Sequence, residues 1–214
     1  MKKIGIIGSG SVAKALGSGF LKHNYKVMLS SREVSKLTTW KEKGGDNAHT
    51  GSFEDAAKFG DIVVLAVKGL AAADAIDAAG PQNLQWKTVI DTSNPMADAP
   101  PENGVLKYFT TFDESLMEQL QLRFPDIHFV KAFNSVGNEF MVNPSFAEKP
   151  TMFICGNNEI SKTAVKEILG QFGWDIADMG KVESARAIEP LCMLWCIPAI
   201  RNGERHHAFR LVKV

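Results

Sequence analysis

Lys3-Ile4-Gly5-Ile6-Ile7-Gly8-Ser9-Gly10-Ser11-Val12-Ala13 is the stretch that decides the fold. Ile4, Ile6 and Ile7 form the short apolar run of a strand buried on both faces. The next six residues, Gly8 to Ala13, read G-x-G-x-x-A. Gly8 permits a tight turn out of the strand. Gly10 has no Cβ, so a pyrophosphate can approach the backbone. Ala13 is small enough for the new helix to pack closely on the strand. Free N–H groups of Ser11, Val12 and Ala13, at the positive end of that helix, suit phosphate oxygens, as does the backbone of Ser9. Val12, Ala13, Leu16 and Phe20 continue the helical pattern. The stretch predicts a dinucleotide-binding turn rather than a glycine-rich turn of another α/β protein.

The second strand, Tyr25 to Leu29, tests which dinucleotide. A protein that takes NAD places Asp or Glu about 20 residues past the glycines, on the ribose 2′-OH. Here Ser30-Ser31-Arg32 occupies that place and Lys36 follows one turn later. Two cations and no carboxylate at the ribose position predict a 2′-phosphate, hence NADP.

Further along, Asn47 to Gly51 predicts a short strand, and Ser52 an N-cap with Asp55 three residues on. Asp61 to Val67 reads as a central strand whose end, Ala66, Val67 and Lys68, lies beside the cofactor. A helix is expected over 69–79 and a strand over 88–91, closed by Thr92-Ser93-Asn94-Pro95, with Asn94 toward the nicotinamide. A surface loop spans 96–110 and a helix 113–124. Ile127 to Ala132 completes about six strands, followed by Phe133-Asn134-Ser135-Val136-Gly137. The expectation is an α/β, Rossmann-type, doubly wound and mostly parallel sheet over 1–145. A small C-terminal α/β appendage over 146–214 completes an acceptor cleft. The appendage reads as a strand over 152–155, a helix over 161–172, a strand over 174–177 and a helix over 183–195 that Pro198 ends or kinks. Alternation over 209–212 suggests an edge strand.

Composition narrows the partners. Lys+Arg and Asp+Glu are both 24, so no charge excess points to nucleic acid or an anionic membrane. No apolar run of about 18 residues is present, which predicts no membrane span. The strand pattern starts too early for a signal peptide, and three cysteines, Cys155, Cys192 and Cys196, sit in apolar runs. Together these predict a cytoplasmic protein without disulfides. No metal site is expected: the cysteines lack ligand spacing, and adjacent His206 and His207 face different ways. Arg186 and Glu189, at i and i+3, are expected to pair. Ala187, Ile188, Leu191, Cys192, Leu194 and Trp195 cover much of the last helix's circumference, which predicts a homodimer burying part of 183–203.

The expected cofactor face offers Ala66, Val67, Ser93, Asn94 and Phe133 to Gly137, with no histidine, cysteine or carboxylate placed as a general acid or base. Asp91, inside a strand end, is expected to shape the turn after it. No catalytic side chain is therefore assigned, and the composition favours an acceptor that spreads charge over its own rings. A reductase of small carbonyls or imines and a non-catalytic redox sensor are the alternatives.

The chain resembles the NADPH-dependent coenzyme F420 reductase family, a group of dinucleotide-binding oxidoreductases whose cofactor domain is related to that of membrane ferric reductases. The resemblance is carried by Gly8-Ser9-Gly10, Ser31-Arg32 with Lys36, Asp91 to Pro95, Lys131 to Gly137, Ser184 to Leu191, and Arg201-Asn202-Gly203, in the family's order. It implies that NADP meets a flat redox acceptor, a small molecule, in a cleft between the main domain and the C-terminal segment. It also implies that Ser31, Arg32 and Lys36 hold the 2′-phosphate and that Asn134 to Gly137 floor the acceptor. The tail Glu204-Arg205-His206-His207 departs from the more apolar ending of the F420-using members, so the acceptor's identity stays open.

Overall fold

Strand β1 (Lys3–Ile7) lies at the centre of a six-stranded sheet, between β2 (Lys26–Ser30) and β4 (Ile62–Leu65). The computed structural model describes residues 2–212; residues 1, 213 and 214 of the two-part division lie outside that range. With β3 (Ala48–Gly51), β5 (Thr88–Asp91) and β6 (His128–Lys131), the strand order is β3-β2-β1-β4-β5-β6, every neighbouring pair parallel. This is the expected doubly wound Rossmann arrangement, and its order reverses between β1 and β4.

The apolar run of β1 divides between the two faces, as a doubly covered strand requires. Ile4 and Ile6 join Leu16, Phe20 and Trp40 in one cluster, while Ile7 joins Val63, Leu65 and Ile76 in the other. Helices α1 (Ser11–Lys22) and α2 (Thr38–Gly44) supply Leu16, Phe20 and Trp40. Helices α3 (Phe53–Phe59), α4 (Ala72–Ala79) and α5 (Leu116–Arg123) contribute Ala57, Ile76 and Met117 on the other face. α3 sits so close to β1 that a Cβ at Gly5 would lie 2.0 Å from the Ala56 carbonyl oxygen.

Ser52 caps α3 in a capping box with Asp55, as expected. Ser115 does the same for α5 with Glu118. That box moves the start of α5 from the expected residue 113 to Leu116, because the N-cap itself must be extended.

The C-terminal segment holds β7 (Thr151–Ile154) and β8 (Asp175–Asp178), a separate parallel pair bridged by α6 (Glu159–Gln171). Met152, Ile154, Val165, Phe172 and Trp174 pack in the same apolar cluster as Ile4 and Phe20. The last helix, α7 (Ala185–Asn202), runs through Pro198 instead of stopping there, and ends at Gly203 in the left-handed conformation. Its end is held from outside: Trp195 Nε1 donates to the His207 carbonyl, and His207 Nε2 lies 2.9 Å from the Trp195 carbonyl. Residues 209–212 are not a strand, contrary to the alternation. Thr151 N–H donates to the Phe209 carbonyl, but the Leu211 N–H is taken by the Thr151 hydroxyl, so no ladder continues.

Candidate functional site

A cleft of about 820 Å³ opens at the switch point between β1 and β4. Gly8, Ser9 and Gly10 form one wall, Ser31, Arg32 and Lys36 a second, and Ala66, Val67 and Lys68 a third. These nine expected cofactor residues therefore come together. Ser11, Val12 and Ala13 form the first turn of α1 behind the glycines. Gly8 has φ +142°, and a Cβ there would lie 2.2 Å from the Ala66 carbonyl oxygen. Gly10 is different: a Cβ there meets nothing within 4 Å, so its missing side chain leaves open space on the cleft wall. Gly10 is also the N-cap of α1 and offers no side-chain cap, which leaves the N-terminal amides for a ligand. An open cradle, free helix amides and nearby cations fit a dinucleotide pyrophosphate.

One expectation is corrected here. The end of the cleft formed by Ser31, Arg32 and Lys36 is not free of carboxylate. Glu33 lines the same cleft, with its Oε2 2.6 Å from Lys36 Nζ. The Lys36 ammonium holds the Glu33 carboxyl below the usual carboxylate range. Glu33 stands beside Arg32 and three residues before Lys36, an i,i+3 spacing that was readable. Phe53, Ala71, Asp74, Ala75 and Ala78 complete the lining; their place comes from chain folding and had no local signal.

Asn94 does not line this cleft. It is buried and paired with Asn134: Asn94 Nδ2 donates to the Asn134 carbonyl, and Asn134 Nδ2 donates to Asn94 Oδ1 and to the Ile188 carbonyl. Phe133, Asn134, Ser135 and Val136 are all buried at the carboxyl end of β6. Gly137 abuts α7, where an added Cβ would lie 2.9 Å from the Trp195 ring. The five expected acceptor residues follow β6 outside the lining of the 820 Å³ cleft: Asn134 and Gly137 meet α7, while Phe133 and Val136 pack in the apolar cluster that holds Ile4 and Phe20.

At the carboxyl end of β6 lies a charge group that the sequence reading missed. Lys131 Nζ is 2.6 Å from Asp91 Oδ2, 2.8 Å from Glu189 Oε1 and 2.9 Å from the Ser93 carbonyl. Burial pulls the lysine's pKa down, but the two carboxylates overcome this and hold it above its ordinary value. Asp91 Oδ1 also accepts from the Ser93 N–H and hydroxyl, the turn-shaping role expected of it. Glu189 accepts from the Leu116 and Met117 N–H groups, so it caps α5 from α7. The expected Arg186–Glu189 pair does not form. Arg186 reaches across to Glu118 instead, with Nη2 2.6 Å from Oε1. Glu189 points inward to Lys131, because i and i+3 on a helix are close but only one of them faces the core.

The cysteines are free, with Cys155 and Cys192 buried and Cys196 half-buried. Burial pushes the Cys155 thiol up to about 12, which makes it inert at neutral pH. Among the described residues no group of three or more His, Cys, Asp or Glu could hold a metal ion. No described helix is long and apolar enough to cross a membrane.

The sheet order with a glycine turn and cationic pocket at its switch point defines a dinucleotide-binding protein of the Rossmann class. Residues 3–95 match the family model described as NADP oxidoreductase, coenzyme F420-dependent. The chain is thus similar to that family, as its motifs implied. Human metalloreductase STEAP2 is 29% identical over 202 residues, which are 92% of this chain and 38% of that protein. The chain therefore spans under two fifths of the length of this curated relative. Among solved structures, a candidate F420-dependent NADP-reductase from Arthrobacter sp. FB24 superposes with a TM-score of 0.91 at 25% identity, covering 100% of both chains. An imine reductase from Aspergillus terreus shares the fold, with a TM-score of 0.68 at 16% identity over 95% of this chain and 63% of that one.

Proposed function

We propose that the protein binds NADPH in the 820 Å³ cleft and passes its hydride to a flat conjugated acceptor, an F420-like deazaflavin or a flavin. In this reading the turn from Gly8 to Ala13 takes the pyrophosphate. Ser31, Arg32 and Lys36 take the 2′-phosphate, while Ala66, Val67 and Lys68 border the path to the nicotinamide. Phe133 to Gly137 support the acceptor. NADPH supplies the hydride; the protein orients it and excludes water.

The observation that carries this reading is the state of Asp91. It is 0% exposed, and both its oxygens are committed, to Lys131 and to Ser93. Lys131 is equally committed. Reduction of a small ketone needs a proton donor at the nascent alkoxide. A deazaflavin or flavin spreads the incoming charge over its rings and takes its proton from water. The likeness to the candidate F420-dependent NADP-reductase of Arthrobacter supports the same class of acceptor.

Two units, 1–145 for the cofactor and 146–214 to complete the acceptor cleft, are part of this proposal, as is a cytoplasmic location. So is a homodimer. α7 leaves Leu194 55% exposed, and the neighbouring loop leaves Phe112 85% exposed beside a 410 Å³ groove lined by Val105, Pro190 and Met193. A two-fold pairing is the commonest way to cover such a face. Sedimentation showing only a 23.4 kDa species would remove the dimer.

The test of function is NADPH oxidation, followed at 340 nm, against F420, FMN, riboflavin, ferric chelates and a set of cyclic imines and ketones. Turnover with a deazaflavin or flavin is expected. Turnover with imines or ketones alone would replace this reading with that of a carbonyl or imine reductase, and NADPH binding without turnover would favour a sensor.

A further inference from the structure

We infer that Glu33 limits how strongly the cleft prefers NADPH over NADH, by holding Lys36 as a rival anion to the cofactor's 2′-phosphate. The inference rests on the NADPH reading above and names a residue that acts against it.

The geometry is local and specific. Ser31, Arg32, Glu33 and Lys36 all line one end of the cleft. Glu33 Oε2 sits 2.6 Å from Lys36 Nζ, and Glu33 Oε1 accepts from the Ser35 hydroxyl at 3.3 Å. The Glu33 N–H donates to Ser31 Oγ at 3.1 Å, which fixes the backbone between them. Arg32 makes no ion pair among the described residues. Of the two cations in the wall, one is therefore free and one is already matched.

A 2′-phosphate carries close to two negative charges at neutral pH. It reaches Lys36 only by displacing Glu33 or by sharing the ammonium with it, and Glu33 stays ionised because Lys36 itself stabilises the carboxylate. Part of the electrostatic gain of NADPH is offset by the lost Glu33–Lys36 pair. The 2′-hydroxyl of NADH asks for no cation and leaves that pair intact. Both partners are exposed, so the effect is modest: an exposed pair changes an equilibrium by about 1.5- to 5-fold.

The test is calorimetric titration of NADPH and of NADH into wild type, Glu33→Gln, Lys36→Met and the double variant, all at one low salt concentration. Glu33→Gln is expected to tighten NADPH by about 1.5- to 5-fold and to leave NADH unchanged. In the Lys36→Met background the same substitution should lose most of that gain. Unchanged or weaker NADPH binding in Glu33→Gln overturns the inference, as does an equal gain for both cofactors or a full gain without Lys36. A wild-type protein that binds NADPH no tighter than NADH is a separate outcome, which defeats the NADPH reading itself.

Discussion

Lys131 Nζ lies 2.6 Å from Asp91 Oδ2, and neither side chain has any exposed surface. The two residues face each other across neighbouring parallel strands, in register at the carboxyl ends of β5 and β6. Glu189 of α7 completes the group from above, and through the adjacent Ile188 carbonyl α7 also holds Asn134. The charge group thus fixes the last helix beside Asn134, one of the proposed acceptor residues.

Removing the cation should be costly. Lys131→Met leaves two buried carboxylates without their counter-charge, and such a loss destabilises by about 3–5 kcal/mol. Urea denaturation of the two proteins measures this. A loss below about 1 kcal/mol would show that the group relaxes or hydrates, contrary to its burial.

This group also shows where sequence reasoning stopped. Apolar runs identified β1, β4 and β6 because a doubly covered strand leaves little choice of residue. The glycine turn was legible because Gly8 alone tolerates φ +142° against the Ala66 carbonyl. Ser31, Arg32 and Lys36 could be placed beside the glycine turn because β2 neighbours β1 in this topology, and they line the same cleft. Asp91 and Lys131 could have been paired: each is a charge inside an otherwise apolar strand, and such charges need partners. Glu189 could not, since its partner lies far away in sequence and only the packing of α7 brings it there. The placing of Asn94 with Asn134 rather than in the cleft is hidden for the same reason.

Acid should weaken the contact between α5 and α7. Burial acts to raise the pKa of Glu118, but Arg186 and the Ser115 hydroxyl and N–H outweigh it, and the net shift is downward. A carboxylate depressed in the folded state stabilises fully above its unfolded value of about 4.3, and the contribution is lost as pH falls through the folded value. The melting temperature should therefore drop below about pH 4.3, and Glu118→Gln should be less stable at neutral pH with a shallower acid decline. An identical acid profile in the variant would place the titration elsewhere.

The two glycines of the turn should separate folding from binding. Gly8→Ala forces a Cβ against the Ala66 carbonyl at positive φ and should cost at least about 1–3 kcal/mol of stability. Gly10 has φ −75° and open space before it, so Gly10→Ala should fold normally. Its methyl group would nevertheless occupy the phosphate approach, and NADPH affinity should fall by at least about tenfold, or roughly 1.4 kcal/mol. Thermal melts with and without NADPH measure both effects. A Gly10→Ala protein that binds NADPH normally would move the pyrophosphate off this turn.

The central claim is that this cleft selects NADPH and delivers its hydride to a flat acceptor. It is tested most directly by acceptor-dependent oxidation of NADPH and of NADH at 340 nm, in wild type and Arg32→Ala. A charge-assisted contact to the 2′-phosphate is worth about 1.5–3 kcal/mol. The account predicts that Arg32→Ala raises the KM for NADPH by about 10- to 150-fold, with the NADH-driven rate and the acceptor KM unchanged. Equal losses for the two cofactors, or no flavin or deazaflavin turnover by the wild-type protein, would contradict it.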